Sequence, residues 1–80
     1  MTVLAQNLKT IRSKLSQTQI TLASLLDIGF RTYVRYETGK RDAPVSVLIK
    51  MAKLGDISLD RLLTTILTLE SLEMPNPETT

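Results

Sequence analysis

Residues 19–41, QITLASLLDIGFRTYVRYETGKR, constrain the fold more than any other part of the chain. Apolar residues at helical spacing fill the first part, and a second helical stretch follows after only three residues, Asp27-Ile28-Gly29. Thr18 is the predicted N-cap of the first helix, and Gly39 the predicted C′ glycine of the second. The segment therefore predicts two short helices joined by a tight turn, with Asp27 in the left-handed conformation.

The second helix, predicted over residues 30–38, has two faces of different character. Tyr33 and Tyr36 lie three residues apart beside Glu37 and are expected to pack inward. The other face carries two arginines and two apolar residues, stacked because residues four apart share a side of a helix: Phe30, Arg31, Val34 and Arg35. Arginine can fork to guanine O6 and N7, and apolar groups can contact thymine methyls. We interpret this face as one that reads base edges in the major groove.

The remaining segments predict a compact, all-α, five-helix domain. A first amphipathic helix carries an apolar stripe at spacings of four, three and four: Leu4, Leu8, Ile11 and Leu15. A fourth helix should start near Pro44, end at Gly55 and pack one face on the core: Val45, Leu48, Ile49 and Ala52. Ser58 is the predicted N-cap of a fifth helix over residues 59–73.

The chain resembles the phage-repressor and Cro type of helix-turn-helix domain, the lambda-repressor-like XRE family, from about residue 4 to residue 63. The matching positions include Gln19, Leu22-Ala23, Leu25-Leu26, Ile28, Arg35-Tyr36-Glu37, Gly39-Lys40-Arg41, Pro44, Ala52-Lys53-Leu54 and the run from Ile57 to Leu62. Three positions depart from the pattern: Asp27 and Gly29 in the turn, and Tyr33 where a small branched apolar residue is usual. The resemblance implies a helix-turn-helix at helices 2 and 3, a structural pairing of Arg12 with Glu37, and double-stranded DNA as the partner.

The predicted DNA contacts are seven residues: Gln19, Phe30, Arg31, Val34, Arg35, Lys40 and Arg41. The resemblance places Gln19 at a helix N-terminus against a phosphate, where backbone N–H groups favour an anion. Lys40 and Arg41 are expected to hold phosphates from the loop after the second helix. Alternatives stay open, because both loop cations could be solvated, Phe30 could pack on its own domain, and Val34 could fill the helix interface.

Charge is distributed unevenly along the chain. Residues 1–41 hold seven basic and two acidic residues, whereas residues 42–80 hold three basic and six acidic residues, so the net charge of +2 conceals two halves of opposite sign. The basic half contains the helix-turn-helix. This polarity is expected when one side of a domain approaches phosphates.

Three classes of function remain open. The favoured class is a sequence-specific DNA-binding transcriptional regulator, a repressor. The second class is a protein-interaction module, for example an antitoxin that binds a toxin. A module that binds only protein has no need of the two arginines, which therefore favour the first class. An enzyme is disfavoured because the chain has no histidine, no cysteine and no glycine-rich phosphate loop. No metal and no cofactor are expected.

Length and apolar content set the remaining expectations. Residues 1–74 are expected to form one domain and residues 75–80 a disordered tail, since PNPETT has almost no apolar mass. No signal peptide and no apolar run of about 20 residues is visible, which predicts a cytoplasmic protein without membrane contact. The fifth helix carries more apolar residues than one core face needs, which predicts a homodimer through Leu62, Ile66 and Leu69.

Overall fold

The computed structural model describes residues 2–73, and these residues form six helices and no strand. The helices are α1 (Val3–Lys14), α2 (Gln19–Leu25), α3 (Phe30–Glu37), α4 (Val45–Gly55), α5 (Leu59–Thr64) and α6 (Leu69–Glu73). The all-α class is confirmed, and α2 and α3 form the predicted pair of helices joined by a tight turn. The predicted domain end at residue 74 and the predicted tail, residues 75–80, lie outside the described residues.

The helix ends follow the local sequence signals. The Thr18 hydroxyl accepts from the Thr21 N–H at 3.1 Å, and the Ser58 hydroxyl accepts from the Arg61 N–H at 3.0 Å. Both are side-chain N-caps that satisfy a donor at the start of a helix. Asp27 adopts the left-handed conformation, with φ 58°, and Gly39 follows α3 with φ 77°. The short turn and the abrupt end of α3 therefore both have a local cause in the sequence.

The core is centred on α1, which contacts α3, α4, α5 and α6. The largest fully buried apolar side chains come from five helices and the residue after α2: Leu8, Ile11, Leu22, Leu26, Tyr33, Met51 and Leu62. Tyr33 and Tyr36 are both buried, which confirms that they pack inward. The helix-turn-helix is thus supported from behind by α1, with α2 and α3 packed on each other.

The prediction of one continuous helix over residues 59–73 is wrong. α5 ends at Thr64, Thr65 is extended at φ −113° and ψ 124°, and α6 begins only at Leu69. Asn7, fully buried on α1, takes the hydrogen bonds that a continuous helix would use. Its Nδ2 donates to the carbonyls of Leu62 at 2.8 Å and Thr65 at 2.7 Å. Its Oδ1 accepts from the Leu67 N–H at 2.8 Å, so the chain turns back over α1 at this point.

The predicted dimer interface is wrong at one of its three residues. Leu62 is fully buried in the core of its own domain, so it cannot face a second copy. Leu67 and Leu72 are also buried, because the break after α5 lets this segment cover α1. The apolar side chains of this segment that do face solvent are Leu63 (41%), Ile66 (59%) and Leu69 (48%).

The predicted inner face of α4 is corrected as well. Val45 and Ile49 are exposed, while Val47, Leu48, Met51 and Ala52 are buried. Pro44 is the N-cap residue of α4, one position before its first turn. Gly55 ends α4 against α1, and a Cβ there would lie 2.9 Å from Ile11 Cδ1. This close approach rotates α4 so that the stripe ending in Gly55 faces the core.

Candidate nucleic-acid interface

α3 has one buried face and one exposed face. Tyr33, Tyr36 and Glu37 are buried, whereas Arg31 and Arg35 are exposed. The exposed side also carries Phe30, which is 45% exposed, and Val34, which is half-buried. The division into two faces agrees with the helical spacing of these residues.

A groove of about 450 Å³ runs along the exposed side of α3. Its lining residues come from α3, the start of α2 and the loop after α3: Gln19, Phe30, Arg31, Val34, Arg35, Thr38 and Lys40. The structure thus brings together six of the seven predicted contact residues. Arg41 does not line this groove and lies exposed beside Lys40.

The loop after α3 is fixed to the helix end by its backbone. The N–H groups of Lys40 and Arg41 both donate to the Arg35 carbonyl, at 2.9 Å and 3.2 Å. Gly39 makes this possible because its φ of 77° reverses the chain at little steric cost. The two loop cations are therefore held close to the C-terminus of α3 while their side chains remain exposed.

A buried carboxylate ties three helices together behind the groove. Arg12 donates from Nε to Glu37 Oε2 and from Nη2 to Glu37 Oε1, both at 2.9 Å, and the side chains are 19% and 4% exposed. Gln19 Nε2 donates to Glu37 Oε1 at 3.3 Å. The pairing of Arg12 with Glu37 is therefore confirmed. It joins α1, the first residue of α2 and the last residue of α3, which fixes the angle at which α3 is presented.

The ionisation of this cluster follows from its geometry. Burial alone would raise the pKa of Glu37, but the hydrogen bonds from Arg12 and the adjacent positive charge outweigh it and lower that pKa. The Tyr33 hydroxyl is buried beside the pair without meeting the geometry of a hydrogen bond. Burial, and then the neighbouring Glu37 carboxylate, raise the pKa of Tyr33. Tyr33 is thus a neutral core residue, and Glu37 a permanent anion at neutral pH.

A second groove, of about 440 Å³, adjoins the first and shares Gln19 and Thr38 with it. Lys9, Arg12, Thr18 and Glu37 complete its lining. Sequence reasoning did not select Thr38 or Lys9 as interface residues. Helical spacing indicates a shared face for both, since Thr38 is four residues after Val34 and Lys9 is three residues before Arg12. Gln19 lies at the border of the two grooves, half-buried at the first position of α2.

The part of the chain that the structure describes shows neither a metal-ligand cluster nor a membrane-spanning helix. Between residues 2 and 73, no group of three or more His, Cys, Asp or Glu side chains lies close enough to hold a metal ion. Among the six helices, none has the length and apolar character needed to cross a bilayer.

The fold and the grooved, basic face of α3 define a helix-turn-helix DNA-binding domain. The family model HTH_3, described as Helix-turn-helix, matches residues 8–62, and the chain belongs to this family of the Cro and phage-repressor type. It is a family of DNA-binding regulators. Neither the curated proteins nor the solved structures compared with the chain gave a match.

Proposed function

We propose that the protein is a sequence-specific transcriptional repressor that acts in the cytoplasm by placing α3 in the major groove of double-stranded DNA. The observation that carries this proposal is the groove on α3, where two exposed arginines, Phe30 and Val34 line one surface. The major groove of B-DNA is wide enough for one α-helix, and its base edges carry the acceptors and methyl groups that these side chains can contact.

Repression needs no surface beyond this interface. A protein that occupies DNA overlapping a promoter excludes other proteins from the same DNA by its volume. Lys40 and Arg41 would add phosphate contacts that fix the register of α3 without reading sequence. The basic charge of residues 1–41 would speed the approach to DNA and make binding dependent on salt.

A second candidate is a protein-interaction module, such as an antitoxin that binds a toxin. It is favoured by apolar side chains exposed away from the groove on α3, including Ile20 on α2 and Val45 on α4. The two candidates are compatible, because the DNA-reading face and these side chains do not coincide. Specific DNA binding that is lost in Arg31→Ala, the variant described below, would distinguish the first candidate from a module that binds only protein.

We also propose that the protein binds DNA as a homodimer. Two copies on half-sites one helical turn apart gain base contacts that one small domain lacks. The corrected interface uses the exposed apolar side chains of the C-terminal segment, Leu63, Ile66 and Leu69. Sedimentation at micromolar concentration is expected to show a dimer, and Ile66→Asp to shift it toward monomer. A wild-type monomer that binds DNA without cooperativity would contradict this proposal.

Specific binding is expected to depend on Arg31. If its guanidinium forks to a guanine, Arg31→Ala should weaken binding to the selected site by about 1–3 kcal/mol for each half-site. The cognate site is first obtained by selecting bound duplexes from a random DNA pool. Affinity is then measured on that site and on a scrambled duplex. An equal loss on both duplexes would show that Arg31 does not read sequence.

Lys40 is expected to behave differently from Arg31. As a phosphate contact it contributes equally on every sequence, so Lys40→Ala should weaken binding to cognate and scrambled duplexes alike. The slope of log affinity against log salt should fall by roughly one unit, because one fewer counterion is released. The measurement is a salt titration of both proteins on the same duplex. An unchanged slope would remove Lys40 from the interface.

A further inference from the structure

The groove on α3 offers many more hydrogen-bond donors than acceptors. Arg31, Arg35 and Lys40 are exposed and carry donors only, because guanidinium and ammonium groups have no acceptor atom. None of the seven lining residues is acidic. The amino group of a cytosine or an adenine is a hydrogen-bond donor and needs an acceptor. This groove offers it no carboxylate.

The side-chain acceptors of the groove lie at one border. Gln19 donates one amide N–H to Glu37, which leaves its second N–H and the acceptor Oε1. The Thr38 hydroxyl donates to the Val34 carbonyl at 2.8 Å, which leaves the lone pairs of Oγ1. Gln19 and Thr38 both also line the adjoining groove with Lys9 and Arg12. Phe30, Arg31, Val34 and Arg35 line the groove on α3 and not the adjoining one, and this stretch has no side-chain acceptor. Phe30 also borders a third groove, at the turn before α3, which is lined by Ser24 and Asp27.

The same stretch carries an apolar strip. Phe30 at the start of α3 is 45% exposed, and Val34 follows one turn later, half-buried. Covering this strip with a methyl group removes apolar surface from water, which is favourable. Thymine is the base that presents a methyl group in the major groove of unmodified DNA.

We propose that α3 reads keto bases, namely a guanine and a thymine that are neighbours on one strand. Guanine presents two acceptors, N7 and O6, to the arginines, and thymine presents the O4 acceptor and a methyl group for Phe30 and Val34. An adenine or cytosine amino group at these positions would place a donor against a donor and is rejected. This inference rests on the proposed function and specifies the sequence class that the same surface binds.

The test uses the full chain and the duplex selected from a random pool. Each thymine is replaced singly by deoxyuridine, which removes only the methyl group. We expect a loss of about 3- to 5-fold at one or two thymines, the effect of exposing one methyl group. Replacing a neighbouring guanine on that strand by 7-deazaguanine, which removes N7, should cost about 5-fold or more.

Protein variants assign the methyl contact. With Phe30→Ala, thymine and deoxyuridine duplexes should bind alike, whereas Val45→Ala, an exposed apolar residue outside the groove, should keep the wild-type ratio. Indifference to every deoxyuridine overturns the inference. So does a loss when the N6 amino group is removed from an adenine facing α3. In both cases specific binding persists and the proposed function stands. Failure to select any sequence would instead overturn the proposed function itself.

Discussion

Replacing Asn7 by alanine is expected to lower the free energy of unfolding by about 3–5 kcal/mol. The Asn7 amide is fully buried and makes three hydrogen bonds of 2.7–2.8 Å to the backbone of residues 62–67. Alanine would leave the Leu67 N–H and the Leu62 carbonyl without their partner in the interior, would remove a partner of the partly exposed Thr65 carbonyl, and would also leave a small cavity. Such a loss approaches the total stability of a small domain. Urea denaturation followed by circular dichroism measures it.

Gln6→Ala is the matched control for the Asn7 substitution. Gln6 is the preceding residue of the same helix and is exposed, so its side chain can be shortened without uncovering a buried group. We expect its denaturation midpoint to stay close to that of the wild type. If Asn7→Ala were as stable as Gln6→Ala, the segment after α5 would be held by apolar packing alone, and the role assigned to the amide would be wrong.

Removing the Glu37 side chain is expected to lower the free energy of unfolding by about 2–4 kcal/mol. In Glu37→Ala, Arg12 would keep a positive charge that is only 19% exposed, and Gln19 would lose its partner. The damage should also reach DNA binding, since the cluster sets the angle of α3. Thermal unfolding and affinity for the selected duplex are the two measurements. A variant with wild-type stability would show that water replaces the carboxylate without loss.

The pH dependence of this effect has a definite sign. Because the pKa of Glu37 is lowered in the folded state, its stabilisation is fully present above the ordinary carboxyl pKa of about 4.5 and is lost as the pH falls through the lower folded value. The stability difference between wild type and Glu37→Gln should be constant near neutrality and shrink below about pH 4.5. Asp42→Asn removes an exposed carboxylate from a loop and serves as the control. A pH of 3 lies on the order of one unit below the ordinary pKa of a carboxyl group. A stability difference that stays constant down to that pH would contradict the assignment.

The local features of the fold were predictable because each is encoded by one or two neighbouring residues. Thr18 and Ser58 carry the hydroxyls that cap their helices, and Asp27 and Gly39 suit the left-handed positions they occupy. The grouping of Phe30, Arg31 and the other residues of that face on one groove also follows from helical spacing. Which bases or phosphates those residues contact remains a prediction.

The features that escaped prediction depend on contacts between distant residues. Leu62, Ile66 and Leu69 continue a helical period through the break after α5, so periodicity alone favoured one long helix. The cause of the break, the amide of Asn7, is 55 residues away from Leu62. In α4, the stripe of Val45 and Ile49 and the stripe of Val47 and Met51 have the same spacing. The close approach of Gly55 to Ile11 decides between them, and no local signal carries that information.

The position of Asn7 and its partners also bears on how the domain is made. The cluster of Arg12, Gln19 and Glu37 draws on residues that leave the ribosome early and within a short interval. The partners of Asn7 emerge 55 to 60 residues after Asn7 itself. A growing chain can therefore assemble the support of α3 first, while the buried amide on α1 still faces water. Synthesis of residues 62–67 then supplies the partners of the Asn7 amide, so a nascent chain that stops before them leaves this part of α1 uncovered and open to the wrong contacts.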